Sequence, residues 1–264
     1  MNRAMTSALT AESTSKFVNL PSGRVHYNEA GSGHPVVLLH GSGPGASGWS
    51  NFQPNLPALS QQFRAIAVDM PGWGASDSPA PEERNHVQTL VEILDALGIE
   101  RAAVIGNSMG GMTAIHFATK HPDRISHLIA MGAPAPGARI FSAQGLTEGL
   151  KILIKGYAEP TPENFKQLVS IMAFDQRFAT DELAAERAAN AAARPEHAAN
   201  FLAGFKMGIM NGPLSEYQKI TPQLMALKTP TLIVHGRDDR TVHMEHGMQL
   251  VSLIPDSRLL IINR

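Results

Sequence analysis

Short apolar runs alternate with helical patterns along the first half of the chain. Apolar runs at residues 36–39, 128–131 and 231–235 predict buried strands, and residues 64–69 predict a further strand. Between them, residues 87–97 repeat apolar side chains at helical spacing, and Gly98 follows where a C-terminal cap belongs. Strands that alternate with helices predict an α/β fold, with a mostly parallel sheet and helices on both faces.

Both ends of the chain add to this sheet. Residues 17–18 and 24–27 predict two short strands around a turn at 21–23, which form an antiparallel edge. Residues 1–15 are polar, and we expect a loose leader there. Residues 258–262 predict a last strand.

The pattern changes after Gly137. Residues 138–213 contain no strand-like run, and apolar residues recur there at helical spacing. The simplest interpretation is a helical lid inserted between two strands, over the carboxyl edge of the sheet, where it would exclude water and shape a pocket. We therefore expect a core in two parts, 1–137 and 214–264, with a lid at 138–213.

Composition limits the partners. The chain has 22 basic and 23 acidic residues without a basic block, so neither nucleic acid nor an acidic membrane surface is indicated as a partner. It has no cysteine, which excludes disulfides and a thiolate nucleophile. No apolar run approaches the roughly 18 residues of a membrane span. These features favour a soluble cytoplasmic protein.

The most informative stretch is residues 104–111. An apolar strand run enters Gly106-x-Ser108-x-Gly110, and a helical pattern leaves it. Strand, tight turn and helix around Gly-x-Ser-x-Gly are typical of a nucleophile elbow, which makes Ser108 the candidate nucleophile. The alternative is a glycine-rich turn with an incidental serine.

A serine hydrolase also needs oxyanion donors and an acid. The loop His40-Gly41-Ser42-Gly43 follows a strand, and its glycines let amides approach a substrate, so we predict that Ser42 and Met109 donate the two amides. His40 is expected to hold this loop. Gly236-Arg237-Asp238-Asp239 follows a later strand and supplies the acid. We choose Asp239, three positions after the glycine, although both aspartates could simply lie in a surface turn.

One rival motif overlaps this loop. Gly43, Gly45 and Gly48 match Gly-x-Gly-x-x-Gly after a strand, and Asp69 follows about 20 residues later, as in a dinucleotide fingerprint. However, the glycines begin three residues after His40, and prolines at 54 and 57 interrupt the helix that should follow. We expect no cofactor. His243-x-x-His246 lacks a third ligand nearby, so we expect no metal either.

Several motifs in order carry a family resemblance. They are residues 40–51 (HGSGPGASGWSN), 69–77 (DMPGWGASD), 106–111 (GNSMGG) and 236–239 (GRDD), with the lid residues 174–177 and 186–187. With these motifs the chain resembles the α/β-hydrolase family and, more narrowly, the meta-cleavage product hydrolases, which hydrolyse carbon–carbon bonds in bacterial aromatic degradation.

The resemblance implies a 2-hydroxy-6-oxohexa-2,4-dienoate substrate, cleaved at C5–C6, and a homodimer. It implies that Arg187 binds the substrate carboxylate, helped by Asn51 and Asn107, with Gly41 and Gly43 in the same pocket. A guanidinium suits a carboxylate because it binds in bidentate fashion and stays charged. Arg187 could instead be a solvated charge on an alanine-rich helix, and Asn107 a polar residue tolerated in a strained turn.

One departure concerns the base. The family carries it in Cys-Gly-His-Trp after the strand that here spans 258–262, and the sequence stops at Asn263-Arg264, where that motif would begin. His235, His243 and His246 are badly placed to replace it. We therefore expect a truncated form of a longer enzyme, nearly inactive as written.

Two other functions stay open from the sequence: a carboxylesterase or other serine hydrolase of the same fold, and a non-catalytic binding relative.

The 6-substituent of the substrate cannot be read from the sequence, because four lid side chains could line a pocket or fill a core: Met172, Phe174, Phe201 and Met207.

Overall fold

The computed structural model describes residues 9–207 and 214–263. In these residues an eight-stranded sheet has the order β1-β2-β4-β3-β5-β6-β7-β8. The strands are β1 Ser15–Leu20, β2 Gly23–Ala30, β3 His34–Leu39, β4 Phe63–Val68, β5 Ala102–Asn107, β6 Ile125–Met131, β7 Thr231–Gly236 and β8 Ser257–Ile262. The pairs β1–β2 and β2–β4 are antiparallel and all others are parallel.

Helices connect these strands on both sides of the sheet. Before the lid they are α1 Ala11–Thr14, α2 Gly48–Phe52, α3 Leu56–Leu59, α4 His86–Ala96 and α5 Met109–Lys120. The helices that follow β6 are α6 Glu148–Ala158, α7 Pro162–Met172, α8 Asp181–Ala192, α9 Pro195–Met207, α10 Leu214–Gln218, α11 Thr221–Met225 and α12 Glu245–Leu253. Short 3₁₀ turns lie at Pro81–Glu83, Pro122–Arg124 and Gln176–Phe178. In the described part of the chain, no helix is long and apolar enough to span a bilayer.

The α/β fold with a mostly parallel sheet, expected from the alternating patterns, is confirmed. One expectation was wrong, because the polar leader is structured in its described part. Thr10 caps α1 in a reciprocal capping box with Ser13, and β1 already begins at Ser15. The side-chain amide of Asn28 on β2 donates to the Ala11 carbonyl oxygen and the Thr14 hydroxyl, which fastens α1 to the sheet.

The inserted region consists of α6 to α9 and follows β6, as the loss of strand patterns predicted. The alanine-rich α8 packs Ala184, Ala188 and Ala191 around the fully buried ring of Phe165 on α7. Small side chains let the two helices approach closely, and burying one phenylalanine stabilises such a contact by about 2–3 kcal/mol. Arg187 precedes Ala188 on the same helix, beside this packed face, and its side chain is half-buried. The division of the chain into core and lid at residues 137 and 213 stays a prediction.

Candidate active site

Ser108 lies on a strained turn between β5 and α5. Its backbone has φ 50° and ψ −111°, and it is the one non-glycine residue with positive φ in the described part of the chain. Such strain persists only where the surroundings impose it, which is common at active sites. A Cβ on Gly106 would lie 2.2 Å from the Gly110 carbonyl oxygen, and one on Gly110 would lie 2.2 Å from that of Leu39. Both glycines are therefore needed for strand and helix to cross at this turn.

Two backbone amides, those of Ser42 and Met109, are the candidates for binding an oxyanion. Met109 is the first residue of α5, so its N–H belongs to the helix turn that has no intrahelical acceptor. Ser42 lies in the loop after β3, borders the same cavity as Ser108, and its N–H has no acceptor among residues 9–207 and 214–263. Helix N-termini and free amides stabilise developing negative charge. The roles of these amides stay predictions.

The loop itself depends on Gly41 and His40. A Cβ on Gly41 would lie 2.8 Å from Oδ1 of Asn107, so a side chain there would displace the elbow. His40 is fully buried, accepts the Met70 amide at Nε2 and donates from Nδ1 to the Gly41 carbonyl oxygen at 2.7 Å. Burial lowers the pKa of His40. The neutral ring of His40 thus holds this loop in place, as we expected from the sequence.

Asp239 follows β7 and borders the cavity. Its Oδ1 accepts the amides of Thr241 and Val242 at 2.8 and 2.9 Å, which orients the carboxylate. Asp238 also reaches the cavity, but its side chain is half exposed and pairs with Arg237 at 2.9 Å. The geometry therefore distinguishes the two aspartates, and the choice of Asp239 as the catalytic acid stays a prediction.

The dinucleotide motif does not form the corresponding site. Asp69, which would bind a ribose, is buried and its carboxylate accepts the amides of Gly48 and Ala75 and contacts the His26 ring at 2.8 Å. The helix that begins at Gly48 has five residues. Asp69 thus holds the neighbouring loops, and its acceptor positions are occupied by the chain itself.

A cavity of about 740 Å³ joins the core to the lid. Of the side chains singled out for substrate binding, Asn51, Asn107 and Arg187 all border it, as do Gly41 and Gly43. A Cβ on Gly43 would meet no atom within 4 Å, so the loop faces open space there. Arg187 comes from α8 in the lid and Ser108 from the elbow, so the fold brings together residues that are distant in sequence.

The four lid side chains differ in position. Met172 and Phe174 border the cavity, whereas Phe201 of α9 is buried in the main hydrophobic cluster. The side chain of Met207 lies outside the described residues.

The end of β8 reaches the cavity. Ile262 and Asn263 border it, and the amide of Arg237 donates to the Ile262 carbonyl oxygen at 2.9 Å. The described lining contains no histidine. His235 is buried and bonds the Val242 carbonyl oxygen at 2.7 Å, so its ring serves the strand edge. The family's histidine would follow β8 at this rim, and its presence stays a prediction.

Sequence reasoning missed a buried contact that supports the oxyanion loop. The Tyr157 hydroxyl on α6 donates to the Ser42 carbonyl oxygen at 2.7 Å, and the Trp73 indole donates to the same hydroxyl at 3.1 Å. A lone tyrosine on an amphipathic helix carries no signal for such a role, because its partner lies 115 residues away.

The described residues contain no group of three or more potential ligands arranged to hold a metal ion. One cavity brings together the hydroxyl of Ser108, the Ser42 amide, the oriented carboxylate of Asp239 and the guanidinium of Arg187. The Met109 amide follows Ser108 directly. This set can add a nucleophile to a carbonyl carbon and stabilise the resulting oxyanion in a substrate that carries its own carboxylate.

Comparisons with known proteins agree with this chemistry. Residues 34–263 match the model of the α/β hydrolase fold family. A 2-hydroxy-6-oxo-6-phenylhexa-2,4-dienoate hydrolase of Burkholderia cepacia is 40% identical over 97% of this chain and 91% of its own. A 2-hydroxy-6-oxononadienedioate/2-hydroxy-6-oxononatrienedioate hydrolase of Comamonas testosteroni is 40% identical over 98% of this chain and 91% of its own.

Among solved structures, the meta-cleavage product hydrolase of Pseudomonas fluorescens IP01 superposes with a TM-score of 0.83 at 33% identity, over 94% of this chain and 88% of that one. Similarity over nearly the whole length covers the sheet, the elbow and the lid together. The chain therefore belongs to the α/β-hydrolase family and, within it, to the meta-cleavage product hydrolases.

Proposed function

We propose that this enzyme hydrolyses the C5–C6 bond of a 2-hydroxy-6-oxohexa-2,4-dienoate, giving a 2-hydroxypenta-2,4-dienoate and a carboxylic acid. One observation carries the proposal: the strained Ser108 and the lid guanidinium of Arg187 border the same cavity. A hydroxyl alone would suit any ester. The guanidinium selects a substrate that brings a carboxylate into the cavity.

In this proposal, Arg187 binds the carboxylate and 2-oxo end, with the amide side chains of Asn51 and Asn107 nearby. Burial lowers the pKa of Arg187, and Glu186 partly counteracts this effect. A guanidinium nevertheless stays charged in proteins, and partial burial strengthens its attraction for an anion. The bound end of the substrate is thereby fixed on the lid side of the cavity.

The reaction consumes one water molecule. The dienol first ketonises, which places a proton at C5. Ser108 then attacks the 6-oxo carbon, while the Ser42 and Met109 amides bind the developing oxyanion. When C5–C6 breaks, its electron pair returns to the dienol fragment and the acyl group stays on Ser108. Water then releases the carboxylic acid. Asp239 would orient the histidine expected after β8.

The test uses full-length protein and 2-hydroxy-6-oxo-6-phenylhexa-2,4-dienoate. Visible absorbance should fade while benzoate and 2-hydroxypenta-2,4-dienoate accumulate in equal amounts. Ser108→Ala should abolish turnover and keep binding, and Arg187→Ala should weaken binding. A p-nitrophenyl ester that turns over far faster than the dienoate, with no effect of Arg187→Ala on carboxylate-bearing substrates, would instead establish an esterase. Ligand-dependent stabilisation without loss of substrate would indicate a binding protein.

We also propose a cytoplasmic homodimer, on the strength of the family resemblance. Size-exclusion chromatography with light scattering tests the assembly: the homodimer requires twice the mass of one chain, and a single-chain mass at micromolar concentration would refute it. Cell fractionation tests the compartment, because activity confined to a membrane or secreted fraction would contradict it.

A further inference from the structure

The charges around the cavity indicate what kind of 6-substituent the substrate carries. Substrates of the proposed reaction differ at this position, where the group is either uncharged or ends in a second carboxylate. A second carboxylate needs a second cation, because burying an unpaired charge is unfavourable. Counting the available cations therefore distinguishes the two substrate classes.

Three guanidinium groups border the cavity in the described residues. Arg237 is held by Asp238 through two hydrogen bonds of 2.9 and 3.1 Å. Arg240 directs its Nε to Glu148 at 2.9 Å, with a second contact from Nη2. Arg187 has no carboxylate partner among the described residues, although it is half-buried. One cation is thus free for a ligand, and two are already neutralised.

The free and the neutralised cations border different parts of the cavity. Arg187 lies beside the loop after β3, where its carbonyl oxygen would be 3.5 Å from a Cβ on Gly45. Arg240 lies against the start of α6, because its carbonyl oxygen accepts the Gly149 amide at 3.0 Å. The region around Arg187 therefore suits the carboxylate that every substrate of the class carries. The region around Arg240 is left for the 6-substituent.

The surroundings of Arg240 are apolar and slightly negative. Leu150 and Leu153 of α6 and Val242 line the cavity, and Leu150 and Val242 are close in sequence to the Gly149–Arg240 contact. Its charged groups are the guanidiniums of Arg237 and Arg240 against the carboxylates of Asp238, Asp239 and Glu148. Two cations against three anions leave one negative charge in excess. A second substrate carboxylate would have to break an ion pair and face this excess.

We infer that the enzyme is specific for dienoates with one carboxylate and an uncharged, apolar 6-substituent, aryl or alkyl, and discriminates against dienedioates. Among the described residues that border the cavity, Arg187 supplies the one cation without a carboxylate partner, whereas Arg237 and Arg240 are paired with Asp238 and Glu148. This inference rests on the proposed function and names its substrate class.

The test compares 2-hydroxy-6-oxonona-2,4-dienedioate with its 9-methyl ester, which has nearly the same shape and no second charge. Binding is measured on the Ser108→Ala variant from the ligand's visible spectrum, and kcat/KM on full-length wild-type enzyme. We expect the ester to bind about threefold to tenfold more tightly, since like charges in one site oppose binding and the half-exposed Arg240–Glu148 pair is partly screened by solvent. Equal or tighter binding of the dienedioate would overturn the inference and leave the proposed function standing. If neither ligand binds, both fail.

A variant pair tests the cause. Glu148→Gln releases Arg240 and should tighten binding of the dienedioate several-fold while the ester is unaffected. Glu182→Gln, at an exposed position of α8 that does not border the cavity, is the matched control and should change neither. An unchanged ratio in Glu148→Gln would show that the ion pair does not set the specificity and would overturn this account.

Discussion

Tyr157 and Ser42 are joined by a 2.7 Å hydrogen bond from the phenol to the carbonyl oxygen, so helix α6 of the lid holds the loop that carries a proposed oxyanion donor. The phenol oxygen also lies 3.3 Å from Nε2 of His197. Burial, with the nearby Arg84, Arg194 and His40, lowers the pKa of His197 to about 3, so its ring is neutral at pH 7. The Tyr157 hydroxyl thus donates its hydrogen bond to the Ser42 carbonyl oxygen and accepts hydrogen bonds from the ring nitrogens of Trp73 and His197.

We expect Tyr157→Phe to lower kcat roughly tenfold and to change KM little, because the loop that positions the Ser42 amide loses its anchor. The variant also leaves buried polar groups without partners, which destabilises the fold by about 1–3 kcal/mol. Steady-state kinetics and urea unfolding measure the two effects separately.

Tyr217→Phe is the matched control. Tyr217 is also buried and donates to the Pro134 carbonyl oxygen at 2.6 Å, away from the oxyanion loop. It should cost similar stability and leave kcat unchanged. If both variants lower kcat equally, the effect of Tyr157 is one of general stability and the positioning role is wrong.

The close approach at the elbow gives a second prediction. Gly106→Ala places a Cβ 2.2 Å from the Gly110 carbonyl oxygen, so the turn must move. We expect activity to fall by more than tenfold and stability to fall by about 1–3 kcal/mol, as in overpacked cores. Gly156→Ala is the comparison, because its Cβ would meet atoms no nearer than 3.6 Å in the last turn of α6. It should retain activity and gain up to about 1 kcal/mol. Equal losses in both variants would contradict the steric account.

Much of the fold could be predicted because the strands of a parallel sheet are buried on both faces. Residues 36–39 are apolar throughout for this reason, as are the central residues 232–234 of the later run, and both runs are strands in the structure. Helix α1 was missed because four residues fastened by a capping box leave no apolar periodicity.

Some residues of the candidate site could likewise be predicted from the sequence, and others could not. Ser108 and Asp239 are tied to strand ends, so their common cavity follows from the topology once the strands are located. Tyr157 and the Arg240–Glu148 pair depend on how the lid helix meets the core, and no local pattern encodes that contact.

Glu245 provides a prediction on pH. Its carboxylate accepts the amides of Ile140, Phe141 and Ser142 and the Ser142 hydroxyl, which ties the start of the inserted region to α12. Burial raises the pKa of Glu245, but these hydrogen bonds outweigh it and lower the pKa to about 2. A folded-state pKa below the unfolded value stabilises the protein above the unfolded pKa, near 4.3, and this contribution is lost as pH falls toward 2.

We therefore expect Glu245→Gln to be less stable than wild type at pH 6 and the difference to shrink between pH 5 and pH 2. Urea unfolding of both proteins across this range measures the difference. Glu182→Gln, at an exposed side chain, should track wild type throughout. A Glu245→Gln deficit that stays constant down to pH 2 would mean that the carboxylate charge does not stabilise this segment.

The last prediction separates the two adjacent aspartates. Asp239 has its Oδ1 fixed by two amides beside the cavity, whereas Asp238 is half exposed and pairs with Arg237. If Asp239 orients the catalytic histidine, Asp239→Asn should lower kcat by about 10³–10⁴ with little effect on KM, because the amide favours the wrong histidine tautomer. Asp238→Asn should keep kcat within about twofold, since an exposed ion pair contributes little. Steady-state kinetics of full-length enzyme with the phenyl dienoate measure both. The reverse ranking would move the acid to Asp238, and two harmless substitutions would exclude a Ser–His–Asp mechanism at this edge of the sheet.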